Sequence, residues 1–457
     1  MDALVVLTMT EDSGQAFDER DYRTILTAGG SRALFAAKQA FGLFGFKANL
    51  AIIAEHALSL DYQAGDRFLP IRVLHHSKHI KSLLAGKYTQ LPILHSVMVS
   101  SGYGVARMTE GGGSSLTSAQ LVFEMLSAID TGARARACGL AMQLAQRGQD
   151  ELLMDSLRDE SARRYSHSFP PSLAWNSIRC ILSGSRLTEN AARVLAAALT
   201  GTDVSSVAIS AKKALQYAGI SPEKAAENDF FTDSGVNKRT VISIRGGVPE
   251  LTLRVIAEEL RNGVSARHIL DTICLESLVS SMHSDRKFTH EFLIQNSSSL
   301  LESVVSAGSA RPADITEMMA IAAHLTQIYV SSSGKTTFHG REGTGGLEGA
   351  FLEMDKGNSL PLIGILSGAK RTSDCDAASR YIAKLSVSCD QKNLYSESVC
   401  HCSSSLLSGT HLGSMNGTVQ ALCECASYLS SLKKRSAVCT DAVSSIIRSD
   451  STASEKN

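Results

Sequence analysis

Residues 315–329 read Ile315-Thr-Glu-Met-Met-Ala-Ile-Ala-Ala-His-Leu-Thr-Gln-Ile-Tyr329. Ile315, Met318, Met319, Ala322, Leu325 and Tyr329 recur at three and four, the period that gathers side chains on one side of an α-helix. The same spacing runs through 31–44, 48–60, 122–129, 133–147, 200–228, 251–260, 266–279 and 288–305. Alternating β patterns are scarce. Residues 2–10 alternate weakly, and 236–244 carry Val241, Ile242 and Ile244 after Lys238-Arg239 and close on Gly246-Gly247, which reads as a short strand or extended link. The expected fold is mainly α, with few short strands.

Directly after the deciding helix, residues 331–346 (Ser-Ser-Ser-Gly-Lys-Thr-Thr-Phe-His-Gly-Arg-Glu-Gly-Thr-Gly-Gly) form the longest run that suits neither helix nor packed strand. Its glycines, hydroxyls, Lys335 and Arg341 suit a loop whose backbone N–H groups and cations meet phosphate oxygens. Ser333-Gly-Lys-Thr-Thr337 matches the second half of a nucleotide-binding P-loop, but Tyr329 stands where that pattern needs a glycine, and a helix precedes it where a strand is required.

Working towards the N-terminus, capping signals mark helix starts. Thr117 with Gln120 is a capping box, Ser221-Pro222-Glu223 runs from N-cap to N2, and Pro170-Pro171 stops one helix and opens the next. Gly42 and Gly45 loosen the join of two helices into a tight corner. Around Pro170-Pro171 gather Arg158, Arg163, Arg164, Arg179, Arg186, Arg193 and the only tryptophan, Trp175. Such a cluster suits either a nucleic-acid groove, where phosphates meet cations and bases stack on rings, or a solvated helix face with Trp175 in the core.

Length and composition bound the function. At 457 residues, 44% hydrophobic and 20% charged, the chain has material for several ordinary cores and the balance of a folded, soluble protein. Lys plus Arg and Asp plus Glu both number 45, so a nucleic-acid role has to rest on a local basic stripe. The N-terminus has Asp2 and no basic region ahead of its apolar run, unlike a secretory signal, and the uncharged stretches 88–106 and 398–423 are too polar to span a membrane. Ten cysteines, three of them in the first 374 residues, point to free thiols in a cytosolic or nuclear setting.

Metal and catalytic chemistry find little footing. His75 and His79 have the i, i+4 spacing of a ligand pair, yet no carboxylate or cysteine lies near them in sequence, and they read as solvent-facing or capping histidines. Cys400-His-Cys402 and Cys423-Glu-Cys425 lie in a helical segment, where residues two apart diverge, so buried thiols are expected there. No Gly-x-Ser-x-Gly elbow and no His-Glu-x-x-His occurs. The expectation is a non-enzyme without metal or cofactor.

Two helical blocks, an arm-like start, a basic connection and a short polar tail together resemble the nucleoproteins of negative-strand RNA viruses. Asn358-Ser-Leu-Pro-Leu-Ile-Gly-Ile-Leu-Ser-Gly-Ala369, followed by Lys370-Arg371, is similar to the proline, hydrophobic and small-residue segment in the C-terminal lobe of the non-segmented group. Leu360 stands where that group usually has an aromatic residue before the proline. The resemblance implies an N-terminal arm (1–20), helical lobes at 21–246 and 247–447, and a frayed tail (448–457). It also implies single-stranded RNA in a basic groove between the lobes, self-assembly into a helical nucleocapsid, a polymerase or phosphoprotein as further partner, and a place in the virion and in the host cytoplasm or nucleus.

The cations that stand in or beside irregular segments are Arg163, Arg164, Arg179, Lys238, Arg239, Lys335, Arg341, Lys370 and Arg371, and these are the expected RNA contacts. An irregular helical scaffold or adaptor that holds protein segments in its grooves fits the same composition.

Overall fold

The computed structural model describes residues 18–62, 68–83, 91–106, 115–165, 171–182, 188–227, 236–282, 287–329 and 358–367, with isolated residues between 349 and 425. Among these, every regular element is helical, and the only β pairing is one antiparallel bridge of Leu60 with Val105. Two units separate, one of residues 1–81 and 89–205 and one of 82–88 and 206–457. The divide at 205/206 lies ahead of the 246/247 boundary expected from the sequence.

The first unit runs through α1 (Glu19–Ala28), α2 (Gly30–Ser59), α3 (Leu69–Leu83), α4 (Leu91–Ser100), α5 (Ser118–Asp130), α6 (Arg134–Gln146), α7 (Asp150–Arg163), α8 (Pro171–Leu182) and α9 (Glu189–Leu199). Caps fix their starts. Asp18 accepts from the Asp21 N–H at 2.8 Å, and Thr117 and Gln120 close the capping box read from the sequence. The corner expected near Gly42 and Gly45 falls at Gly45, whose φ of 74° interrupts α2 in a region that glycine enters without strain.

Small residues decide how tightly this unit closes. All nine residues from Ala191 to Leu199 in α9 are buried, and α9 packs on α6, whose Ala137 and Ala141 are buried as well. Alanine lets helix axes approach, so one core of Tyr22, Phe41, Ile53, Leu58, Leu121, Met125, Leu144, Trp175 and Leu195 forms around them. Trp175 takes the core alternative. It is 1% exposed, with the Arg158 guanidinium 5.9 Å from its ring centre. His75 and His76 are stacked on each other and fully buried, not solvent-facing, because the helix that carries them turns that face inward.

The second unit comprises α10 (Ser206–Ala218), α11 (Pro222–Ala226), α12 (Lys238–Arg245), α13 (Pro249–Arg261), α14 (Ala266–Met282), α15 (Lys287–Ala307), α16 (Pro312–Ile328) and α17 (Leu360–Ser367). Proline opens α11, α13 and α16, where its missing N–H costs nothing. The deciding stretch is its central helix: α10 to α15 all pack on α16. Every residue from Ala313 to Thr326 is buried, so the single apolar side read from the sequence is in fact a helix enclosed all round.

The strand or link expected over 236–244 is the helix α12. Asn237 decides it: its side chain accepts from the Thr240 N–H at 2.9 Å and donates to Glu259 Oε2 at 2.8 Å, while its backbone N–H donates to Thr272 Oγ1 at 3.0 Å. An N-cap anchored to two other helices outweighs the β preference of Val241, Ile242 and Ile244. No helix among the described residues is long and apolar enough to cross a membrane.

Candidate nucleic-acid interface

In the first unit, Arg163 and Arg164 stand at the end of α7 and Arg179 lies half-buried in α8. Arg163 is exposed and donates from Nη1 to Glu160 Oε2 at 2.7 Å. Arg164 is different. Its side chain is only 4% exposed and donates to Glu160, to Asp130 at the end of α5 and to the Thr202 carbonyl. Its charge is already offset, and it ties the end of α7 to the end of α5 and to the turn after α9. Arg193, from the same sequence cluster, is also inside, donating from Nη2 to the Leu58 and Leu60 carbonyls at 2.8 Å each.

In the second unit, Lys238 and Arg239 begin α12 and are both exposed. Lys238 makes no ion pair with a described residue. Arg239 bridges two carboxylates, donating from Nη2 to Glu258 Oε2 at 2.9 Å and from Nη1 to Glu259 Oε1. These hydrogen bonds favour its charged form, so the guanidinium stays protonated at any working pH. Lys335, Arg341, Lys370 and Arg371 lie outside the described residues, as does the glycine-rich run 331–346.

Beside Arg239 the structure assembles a site that the sequence reading did not single out. Arg254, Glu258 and Arg261 fall at i, i+4 and i+7 on one face of α13, and Ala214, Tyr217 and Ala218 face them from the end of α10. Together they line an open depression of about 370 Å³. Tyr217 is 83% exposed although it is a large ring in a well-packed unit. The apolar sides of the two helices explain the placement. Ala208, Ala211 and Leu215 turn α10 inward, and Leu253, Ile256, Ala257 and Leu260 turn α13 inward, so both remaining faces open to solvent together.

Two guanidiniums (Arg254, Arg261) and one carboxylate (Glu258) line the depression with the ring, Arg239 joins it through Glu258, and Lys213 stands one helical turn before Tyr217. The local balance is positive in a chain that is neutral overall. A flat exposed ring with guanidiniums to one side can stack a planar group while phosphate oxygens take the cations. The sequence held a signal for it: Tyr217 falls off the apolar stripe of its helix, as Arg254 and Arg261 do on theirs.

One cysteine of each C-terminal pair is described, and each is buried, as expected for that position. Cys402 and Cys425 are buried free thiols, and Cys402 lies against Cys274, donating to its carbonyl at 4.0 Å. A hydrogen bond with Cys274 and burial hold the Cys402 thiol well above its ordinary range, so it stays protonated. Cys400 and Cys423 lie outside the described residues.

No protein-family model matches the chain, no curated protein matches its sequence, and no solved structure matches its fold.

Proposed function

We propose that this chain is an RNA-packaging nucleoprotein of the negative-strand viral kind, which binds single-stranded RNA whatever its sequence and assembles with copies of itself into a helical nucleocapsid. The observation that carries the reading is the exposed Tyr217 beside Arg254 and Arg261 in the α10–α13 depression. Ring stacking accepts any base and phosphate contacts accept any sequence, so the two together give affinity without base readout. Lys238 and Arg239 of the expected contact set lie on the neighbouring helix α12, and Arg239 shares Glu258 with the depression. In the first unit Arg163 serves as a surface cation, while Arg164 acts through the fold it secures.

The test is single-stranded RNA affinity measured across a salt range. Replacing Arg254 and Arg261 by Ala should weaken binding to all sequences alike and lower the log–log salt slope by about 1.4, since each phosphate contact on a single strand contributes about 0.7. Tyr217→Ala should weaken binding and leave the slope in place. Unchanged affinity and slope in all of these variants would remove RNA from this depression.

The adaptor reading has one observation of its own. Ile242, Val248 and Leu251, at the α12–α13 turn, are 72%, 48% and 50% exposed. Surface of that kind suits a protein partner. Absorbance of the purified protein at 260 and 280 nm separates the two readings: copurified nucleic acid favours the nucleoprotein, and a clean protein spectrum favours the adaptor.

A further inference from the structure

Glu258 is out of place in a phosphate-binding depression. It lies between Arg254 and Arg261 on the same face of α13, where its charge opposes any phosphate that the two arginines attract. It is also held there. Arg239 Nη2 donates to Oε2 at 2.9 Å and is itself fixed to Glu259, whereas Oε1 accepts no hydrogen bond from a described residue.

The spacing gives this carboxylate a role. Arg254 and Arg261 are seven residues apart, about 10 Å along the helix axis, so they engage two different phosphates of one strand. In a nucleic-acid backbone a sugar links each phosphate to the next. Where the two long arginine side chains converge on neighbouring phosphates, the group midway between them faces the sugar that joins those phosphates. A carboxylate only accepts hydrogen bonds, and a phosphodiester has no hydrogen to give. The 2′-hydroxyl of ribose does, and deoxyribose lacks it.

We propose that Glu258 is the residue with which this site tells RNA from DNA, its carboxylate accepting the 2′-hydroxyl of a nucleotide whose base stacks on Tyr217 while Arg254 and Arg261 hold the flanking phosphates. This rests on the RNA-binding reading above and adds a specificity that stacking and phosphate contacts cannot supply. Arg239 is then a positioning residue, turning Oε2 aside so that Oε1 meets the sugar.

The experiment uses the full chain and three probes of one base sequence: RNA, DNA, and RNA methylated at every 2′-oxygen. The unaltered protein should bind RNA about tenfold more tightly than either of the others, the effect of one charge-assisted hydrogen bond. In Glu258→Ala that preference should fall to near one, with DNA affinity equal or higher because a repulsive charge has gone. Glu258→Gln should lie between the two. If the carboxylate merely repels phosphate, both variants bind RNA and DNA more tightly in equal measure and the preference does not change, which overturns the assignment. Equal binding of all three probes by the unaltered protein overturns it as well and leaves RNA binding standing. Failure to bind RNA at all removes the RNA reading itself, and this inference with it.

Discussion

Tyr22 donates its phenolic hydrogen to Asn49 Oδ1 at 2.6 Å, and Asn49 passes the interaction on by donating from Nδ2 to the Ala37 carbonyl at 3.0 Å. Both residues are fully buried. The chain ties α1 to both arms of α2 across the corner at Gly45, so the first two helices are fixed by one polar relay inside an apolar core. Burial pushes the Tyr22 hydroxyl well above its ordinary pKa, which keeps the donor protonated.

Tyr22→Phe removes the donor and keeps the ring. Asn49 Oδ1 is then buried without this hydrogen bond, at a cost of about 1–3 kcal/mol. Urea denaturation followed by a helix signal should show a lower midpoint with little change in slope. Since the phenolic pKa lies far above neutrality, the loss should be the same at pH 6 and pH 8.

His56 supplies a pH dependence of the opposite character. Burial, helped by the nearby Arg23, lowers its pKa to about 4 from an ordinary 6.5. In the unfolded chain His56 takes up a proton below about pH 6.5, whereas the folded chain holds it neutral until about pH 4. Its contribution to stability is therefore complete above pH 6.5 and is lost as pH falls through that window, by at most about 3 kcal/mol. Melting temperatures taken from pH 7 to pH 4 should fall, and His56→Gln should flatten that fall.

How much of this could be read from the chain depends on whether the signal was local. The Thr117–Gln120 box, the Ser221-Pro222 and Pro171 starts and the Gly45 corner each lie within a few residues, and each is where the sequence placed it. Helix α12 is not local: its start depends on Glu259 and Thr272, two partners far along the chain, and its β-branched residues pointed the other way. Residues 295–299 of α15 read Gln-Asn-Ser-Ser-Ser and look solvated, yet they are buried, with Ser298 Oγ returning its hydrogen to the Ile294 carbonyl at 2.7 Å. For the depression, each helix shows its off-stripe residues, but which two helices stand together is a tertiary fact. That is why Tyr217, Arg254 and Arg261 were missed while the cations beside glycines and prolines were named.

Arg245 and Glu276 give a test of buried charge in the second unit. Nε and Nη2 of Arg245 donate to the two Glu276 oxygens at 2.9 and 2.8 Å, and Glu276 is 1% exposed. Tyr329 lies beside them, its hydroxyl pushed up to about 12 by burial and by the Glu276 charge. Arg245→Ala should cost about 2 kcal/mol, less than a fully enclosed pair because half of the Arg245 side chain is in solvent. Adding Glu276→Gln should restore part of the loss, since the stranded charge is then gone. A double variant no more stable than Arg245→Ala would show that Glu276 is solvated after all.

Arg163 and Arg164 are neighbours in sequence with opposite prospects. Arg163 Nη1 reaches Glu160 from an exposed position, and a pair whose guanidinium stays in solvent is worth no more than about 1 kcal/mol while Arg164 still pairs the buried carboxylate. Arg164 is enclosed, and so is the Glu160 carboxylate that it faces; only its other partner, Asp130, is open to solvent. Arg164→Ala leaves the buried Glu160 with Arg163 alone and releases the Thr202 carbonyl, a loss of about 3 kcal/mol. The melting temperature should therefore drop sharply for Arg164→Ala and hardly for Arg163→Ala. RNA binding should separate them the other way when both are measured below their melting points: Arg163→Ala lowers the salt slope by about 0.7, and Arg164→Ala leaves it unchanged. A lowered slope in Arg164→Ala with its melting temperature intact would mean that this guanidinium faces phosphate, and that the ties to Asp130 and Glu160 give way when RNA binds.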